Sequence, residues 1–442
     1  MIFSSLEFLL FFSIFLILIK CFKSYQREII ILTSFIFYSF WSPIFSFLLL
    51  YLCLSNYLFI KYDIKLKYSI SISLIPLFYF KYSLFFISLL NLEFLEKYAY
   101  VDNLPLAISF ITFTAISTII DTKLKKHDEK LTIKNFTEFL VYFPQLIAGP
   151  ILRVKQLIPQ LKNRIVIEKS NIRFGLILFT VGFVKKIFLA DSIAGYIDPF
   201  FASSETNPDN IIKCFLLFPL QIYFDFSGYV DMALGASTIL GINLPQNFDK
   251  PYLSKSLTEF WRNWHITLSS WFRDYLYIPL GGSRNSKTNL FFNLILVMSV
   301  AGLWHGASLN FILWGFLNGL ILFSEKVIGK FLNIPSFIKI LLTCFIIFNL
   351  WIVFRINEFS QLITFIVEFY SNLYRLFLLE NLLILFILIA GVISQKFDNF
   401  YQIKRLSHNV PLYIILPFFM IIILTGLGVN SGSSEKFIYF EF

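Results

Sequence analysis

The sequence holds four histidines, the side chains best suited to accept and return a proton near neutral pH. His127 lies in a lysine-rich stretch and His408 in a short basic one, and both read as solvated surface groups. His305 differs, because it closes a long apolar run in Ala301-Gly-Leu-Trp-His-Gly-Ala307. An ionisable group at membrane depth is costly unless it is partnered or lines a wet cavity. Gly302 and Gly306 remove side chains on both sides, so a second helix or a substrate can come close. A neutral imidazole there can take a proton from a hydroxyl and return it to a leaving group. A packed histidine bonded to a neighbouring carbonyl fits the same residues, and the local sequence leaves both readings open.

His265 sits in Phe260-Trp-Arg-Asn-Trp-His265, followed by Ser269, Ser270 and Trp271. Trp261 and His265 are four apart and would share one face of a helix. Asp225 and Asp231 lie in the apolar run Ile222-Tyr-Phe-Asp-Phe-Ser-Gly-Tyr-Val-Asp231. Intramembrane carboxylates are rare; these would orient a histidine, bind a cation or anchor a broken helix. Cys21, Cys53, Cys214 and Cys344 show no metal spacing and no disulfide framework, and no metal centre is expected.

Lipid has to be the solvent for the elements that carry these groups. The chain of 442 residues is 57% hydrophobic and 14% charged, where a soluble domain carries about 25% charge. Its mean hydropathy is +0.74. With 57 phenylalanines, many rings must face lipid as well as the interior. The net charge of +10 would hint at nucleic acid in a soluble protein. Here the basic residues sit in short loops, so they read as topology signals and exclude a nucleic-acid partner. Membrane lipid and an anionic small-molecule substrate are the partners that this field suits.

Apolar runs suited to membrane helices are 6–20, 28–41, 43–60, 68–92, 104–120, 136–151, 174–190, 211–241, 289–304, 309–324, 337–354, 361–371, 378–395 and 411–428. The run 211–241 is long enough for two helices. The run 136–151 holds Pro144, Gly149 and Pro150 and reads as a re-entrant or interfacial piece. About eleven crossings follow. Basic stretches 121–134, 153–173 and 246–288 read as cytoplasmic, and the acidic 93–103 and 202–210 as outside. No repeat, linker or separate soluble domain is visible, so 1–442 reads as one integral-membrane domain. The polar interval 245–288, with Trp261, Trp264, Trp271, Arg262 and Arg273, suits an amphipathic helix at the headgroup level.

In order along the chain, these residues resemble the membrane-bound O-acyltransferase family. The resembling segments are Leu104-Pro-Leu-Ala-Ile-Ser-Phe110, Phe143-Pro-Gln-Leu-Ile-Ala-Gly-Pro-Ile151 with Arg153, and Asp225-Phe-Ser-Gly-Tyr-Val-Asp231. They continue with Phe260-Trp-Arg-Asn-Trp-His-Ile-Thr-Leu-Ser269, Arg273-Asp-Tyr-Leu-Tyr-Ile-Pro-Leu-Gly-Gly282 and Gly302-Leu-Trp-His-Gly-Ala307 with Trp314-Gly315. The resemblance covers about 104–320 and includes the aromatic tail after the helix at 411–428. It is strongest to the bacterial branch of alginate O-acetylation proteins, peptidoglycan O-acetyltransferases and D-alanyl transfer proteins of teichoic acid synthesis.

The resemblance implies an all-α fold, a ring of helices around a central tunnel with re-entrant and interfacial pieces, in the bacterial cytoplasmic (inner) membrane. It implies that His305 is the catalytic base and His265 the second family histidine. A cytoplasmic thioester, acetyl-CoA first, would be the donor, with no bound cofactor. Asn263, Trp261, Trp264 or Trp304 would orient the donor or steady a developing oxyanion. Arg262 and Arg273 would meet donor phosphates, with Asp225 nearby. Tyr439, in Ser434-Glu-Lys-Phe-Ile-Tyr-Phe-Glu-Phe442, would carry the acyl group to a separate extracytoplasmic transferase, or would anchor the tail at the interface. The rival readings are a non-catalytic scaffold of a polysaccharide export complex, D-alanyl transfer to teichoic acid, and a transporter using Asp225 and Asp231.

Overall fold

A computed structural model describes residues 1–100, 104–146, 149–203, 207–284, 286–328, 334–398 and 400–429. Among them there is no strand, and an isolated antiparallel bridge pairs Phe248 with Trp264. An all-helical chain satisfies its backbone within each segment, as lipid demands. Among the described residues, seven helices are long and apolar enough to cross a membrane: Pro43–Lys61, Leu66–Leu89, Pro208–Ile239, Lys287–His305, Leu309–Ile328, Ser336–Arg355 and Leu412–Val429. Other apolar helices, such as Leu6–Cys21, Ile108–Lys123 and Leu379–Ser394, have 16 residues each. The structure therefore supports a polytopic membrane protein and leaves the count of about eleven unconfirmed.

Lipid-facing surface is evident from what is exposed. Ile44, Phe47, Phe386, Phe418 and Ile421 all stand outside the packed interior. Only 17% of Leu412–Val429 is buried, so that helix shows apolar residues nearly all round. Pro208–Ile239 is the opposite, with 94% of its apolar window buried. The expected break within 211–241 does not occur: this is one helix of 32 residues, about 48 Å long. Pro219 lies inside it and cannot donate a backbone hydrogen bond. Its own carbonyl accepts the Tyr252 hydroxyl at 2.7 Å.

The chain divides into two compact units. The first comprises Met1–Gly182, Tyr229–Pro245 and Leu406–Leu427. Its core is aromatic: Phe143 packs on Phe15 at 5.2 Å and on Phe37 at 5.5 Å. The piece around Pro144 is indeed broken, into Ile133–Val141, buried from Glu138 onward, and Phe143–Leu146, buried throughout. Ile147 and Ala148 of that motif lie outside the described residues. Arg27 reaches the fully buried Glu138 at 2.6 Å and fixes this piece to the helix Gln26–Ser39.

The second unit comprises Phe183–Gly228, Gln246–Arg405 and, of the described C-terminal residues, 428–429. Inside it lies a buried charge network. The run 174–190 is helical but relaxes into a π-turn at Lys185–Ala190. That turn carries two buried lysines. Lys186 Nζ lies 2.6 Å from Asp225 and 2.7 Å from Asp191, with all three side chains buried. Lys185 pairs with Asp398, which also accepts the Tyr223 hydroxyl at 2.6 Å. Two carboxylates around one ammonium satisfy a charge that could not otherwise persist at this depth.

Removing the shared cation leaves two buried carboxylates without it. Lys186→Met is expected to destabilise the protein by about 3–5 kcal/mol. Thermal unfolding of the detergent-solubilised protein checks this. A midpoint equal to that of the unmodified chain would show that the network carries no stability.

Candidate active site

The site is built on two helices of the second unit that run backbone to backbone. A Cβ at Gly302 would fall 2.0 Å from the carbonyl oxygen of Phe311. A Cβ at Gly315 would fall 2.1 Å from that of Met298. Only glycine permits so close an approach of Lys287–His305 to Leu309–Ile328. His305 is the last residue of the first helix, and Gly306 leaves it in an extended conformation.

His305 is 5% exposed. The rings of Trp304, Trp314 and Phe354 meet it edge to face, at centroid distances of 5.0, 5.3 and 5.3 Å. Phe354 comes from a third helix, Ser336–Arg355. The imidazole therefore sits in an aromatic box at the end of a membrane helix, where little water can dilute its chemistry.

His265 does not share a helix face with Trp261, as its spacing suggested. The helix Leu257–Asn263 ends before it, and His265 stands in the left-handed region at φ 42°. A short backbone pairing holds this turn. Asp249 N–H donates to Asn263 O at 3.0 Å, Ile266 N–H to Asn247 O at 3.0 Å, and Thr267 N–H to the Asn247 side chain at 3.1 Å. The strained conformation turns His265 inward, where it is 1% exposed. Its ring meets Phe226 at 4.8 Å and Trp304 at 6.1 Å. Trp304 thus contacts both histidines. Burial pushes the His265 imidazole down to about 3, so it is neutral at physiological pH.

The tryptophans of 245–288 are not an interfacial belt. Trp264 and Trp271 are buried, and Trp264 stacks on Phe260 at 5.6 Å. Trp261 donates its N–H to Asn318 at 3.2 Å and packs on Trp314 at 5.7 Å. Asn263 donates to Ser254 at 3.1 Å, outside the histidine box. Arg262 and Arg273 are exposed, and Arg273 pairs with Asp274 at 2.8 Å. Asp225 holds Lys186, while the next residue, Phe226, is the one that touches His265. Tyr439 and the rest of the tail from 430 lie outside the described residues.

Of the residues singled out in the sequence, the structure brings His305, His265, Trp304 and Trp261 into one cluster. Phe226, Asn318, Phe354 and Lys186 were not singled out. The Trp314-Gly315 pair was visible, but no role attached to its indole. The adjacent lysines in an otherwise apolar run were the signal for the charge network. A cavity of about 210 Å³ lined by Phe201, Asn210, Cys214, Glu358, Gln361 and Phe365 also lies in this unit, and none of the site residues borders it.

The burial of His265 has a pH consequence. An unfolded chain protonates this imidazole near 6.5, whereas the folded one resists until about 3. Between these values the unfolded state binds more protons, so stability falls as pH is lowered through that window. His265→Gln should flatten this acid-side decline. Unfolding midpoints measured from pH 7 downward check it; a slope equal to that of the unmodified protein would contradict a buried neutral ring.

Comparison with known proteins gives these residues a context. The model of the membrane-bound O-acyltransferase family matches residues 30–365. The chain is 38% identical over 352 residues to a probable alginate O-acetylase of Pseudomonas putida, covering 75% of this chain and 72% of that one. It is 35% identical over 318 residues to a peptidoglycan O-acetyltransferase of Helicobacter pylori, covering 64% and 60%. It is 28% identical over 250 residues to a teichoic acid D-alanyltransferase of Bacillus subtilis, covering 52% and 62%.

Proposed function

This chain belongs to the membrane-bound O-acyltransferase family, and from that premise we propose that it moves an acetyl group from cytoplasmic acetyl-CoA toward a cell-surface polysaccharide. The observation that carries the reading is the pair of buried histidines that share Trp304. Acetyl is favoured over D-alanyl because the O-acetylating relatives are 38% and 35% identical, and the D-alanyl one is 28% identical.

In this reading an acceptor hydroxyl attacks the thioester carbonyl carbon. His305 takes the hydroxyl proton as the C–O bond forms. The tetrahedral oxyanion then collapses, the C–S bond breaks, and the proton passes to the departing sulfur. His265 stays neutral and orients the donor together with Trp304. Arg262 and Arg273, being exposed, meet the phosphates of the donor. Asp225 serves the site indirectly, by anchoring the helix that presents Phe226 to His265. The chain works as one integral domain of the bacterial cytoplasmic membrane and hands its acyl group to a separate extracytoplasmic transferase.

His305→Ala, expressed at the level of the unmodified protein, should lower transfer by about 10²–10⁴-fold. Base-labile acetate released from purified peptidoglycan, and separately from extracellular polysaccharide, measures it. Loss from one fraction names the acceptor. No loss from either would overturn acetyl transfer through His305.

Tyr439 is proposed as the acyl carrier that relays the group outward, its phenol oxygen being the first acceptor. Tyr439→Phe should then abolish acetate in the same fraction while leaving protein abundance unchanged. Acetate at the full rate would reduce the tail to an anchor.

A further inference from the structure

An aromatic cluster buried in a membrane protein has one chemical problem per tryptophan, the indole N–H. Each N–H lost from water needs an acceptor, and an unmatched one costs about 1–3 kcal/mol. Two neighbours of Trp314 solve this within the protein. Trp261 donates to the Asn318 side chain at 3.2 Å. Trp351, stacked on Trp314 at 6.0 Å, donates to the Tyr252 hydroxyl at 3.0 Å. Asn318 has its own amide N–H bonded to the Trp314 carbonyl at 2.8 Å, which aims its oxygen at Trp261.

Trp314 is not matched in this way. It is 1% exposed, and its Nε1 has no hydrogen-bond partner among the described residues. Its ring is in edge-to-face contact with His305 at 5.3 Å. Glycine 315 beside it is locked against Met298, so the indole is held by its own backbone as well as by its ring contacts. A donor left unmatched beside the reactive imidazole costs the free protein stability and gains only when something with a lone pair arrives.

We infer that the Trp314 indole N–H is the donor that receives the acyl carbonyl oxygen in the transition state, making Trp314 a further catalytic residue of the acyl transfer proposed above. As the hydroxyl oxygen adds to the thioester carbon and His305 takes its proton, the carbonyl π pair moves onto oxygen. The N–H bonds to that oxyanion, and the bond weakens when the pair returns and the C–S bond breaks. The donor is rigid and buried before the charge develops, which is the condition for stabilising it without reorganisation. Its bond is strongest to the charged oxygen, so it acts on kcat more than on KM.

The decisive variant replaces Trp314 with β-(3-benzothienyl)alanine, introduced at that codon. This residue keeps the bicyclic shape and puts sulfur where the N–H was. Initial rates of base-labile acetyl transfer from acetyl-CoA are measured in membrane vesicles carrying the protein, next to a His305→Gln arm. The expected result is a fall in kcat of about 10²-fold, KM within about threefold, and an unfolding midpoint unchanged or raised. The last readout separates the roles, because a structural N–H would lower the midpoint and this unmatched one does not. An isostere that turns over at the full rate, with the His305→Gln arm inactive, overturns the role of Trp314 alone. Full activity in the His305→Gln arm overturns the acyl-transfer chemistry of His305 and this inference with it.

Discussion

Everything in the site depends on two helices touching backbone to backbone at Gly302 and Gly315. There the space for a Cβ is already taken by the carbonyls of Phe311 and Met298. Lipid offers no hydrophobic gain for helix association, so such contacts rest on van der Waals packing of small residues. Trp304 and His305 ride on one of these helices, Trp314 and Asn318 on the other. Separating the backbones by a methyl group would move His305 away from the Trp314 ring that flanks it. Positioning errors of about 1 Å are enough to cost an enzyme 10²-fold.

The same economy governs charge. The second unit takes two lysines out of water and matches each with carboxylates, Lys186 with Asp191 and Asp225, and Lys185 with Asp398. Asp225 had three readings at the level of sequence, and its ion pair favours the anchoring one. A carboxylate already 2.6 Å from an ammonium is a poor ligand for a transported cation. The ion pair also fixes the helix turn that offers Phe226 to His265, so the network and the site are one packing problem.

Much of this was legible in sequence, for physical reasons. Apolar runs found the helices because lipid imposes length and composition on each one. His305 stood out because an ionisable group at the end of such a run is costly. What stayed hidden were properties of three-dimensional pairing. Spacing of four placed Trp261 and His265 on one helix face, but the pairing of Asn247–Asp249 with 263–267 turns His265 into the left-handed region instead. The length of 211–241 suggested two helices, yet it forms one helix of 32 residues with 94% of its apolar window buried. Lys186 was invisible as a site because its partners lie 5 and 39 positions away along the chain. The free indole of Trp314 could only be seen once the acceptors around it had been assigned.

The two histidines are not interchangeable, and the difference follows from their surroundings. His265 is buried and held neutral, so it cannot store the proton that leaves the attacking hydroxyl. In the proposed transfer His305 takes that proton, and it would become an imidazolium at a buried position. Aromatic rings within about 6 Å attract a cation through their quadrupoles. Trp304, Trp314 and Phe354 lie within that range of His305, at 5.0–5.3 Å, and carry no charge of their own. In the proposed transfer a neutral His265 adds no repulsion at the moment when His305 takes up its proton.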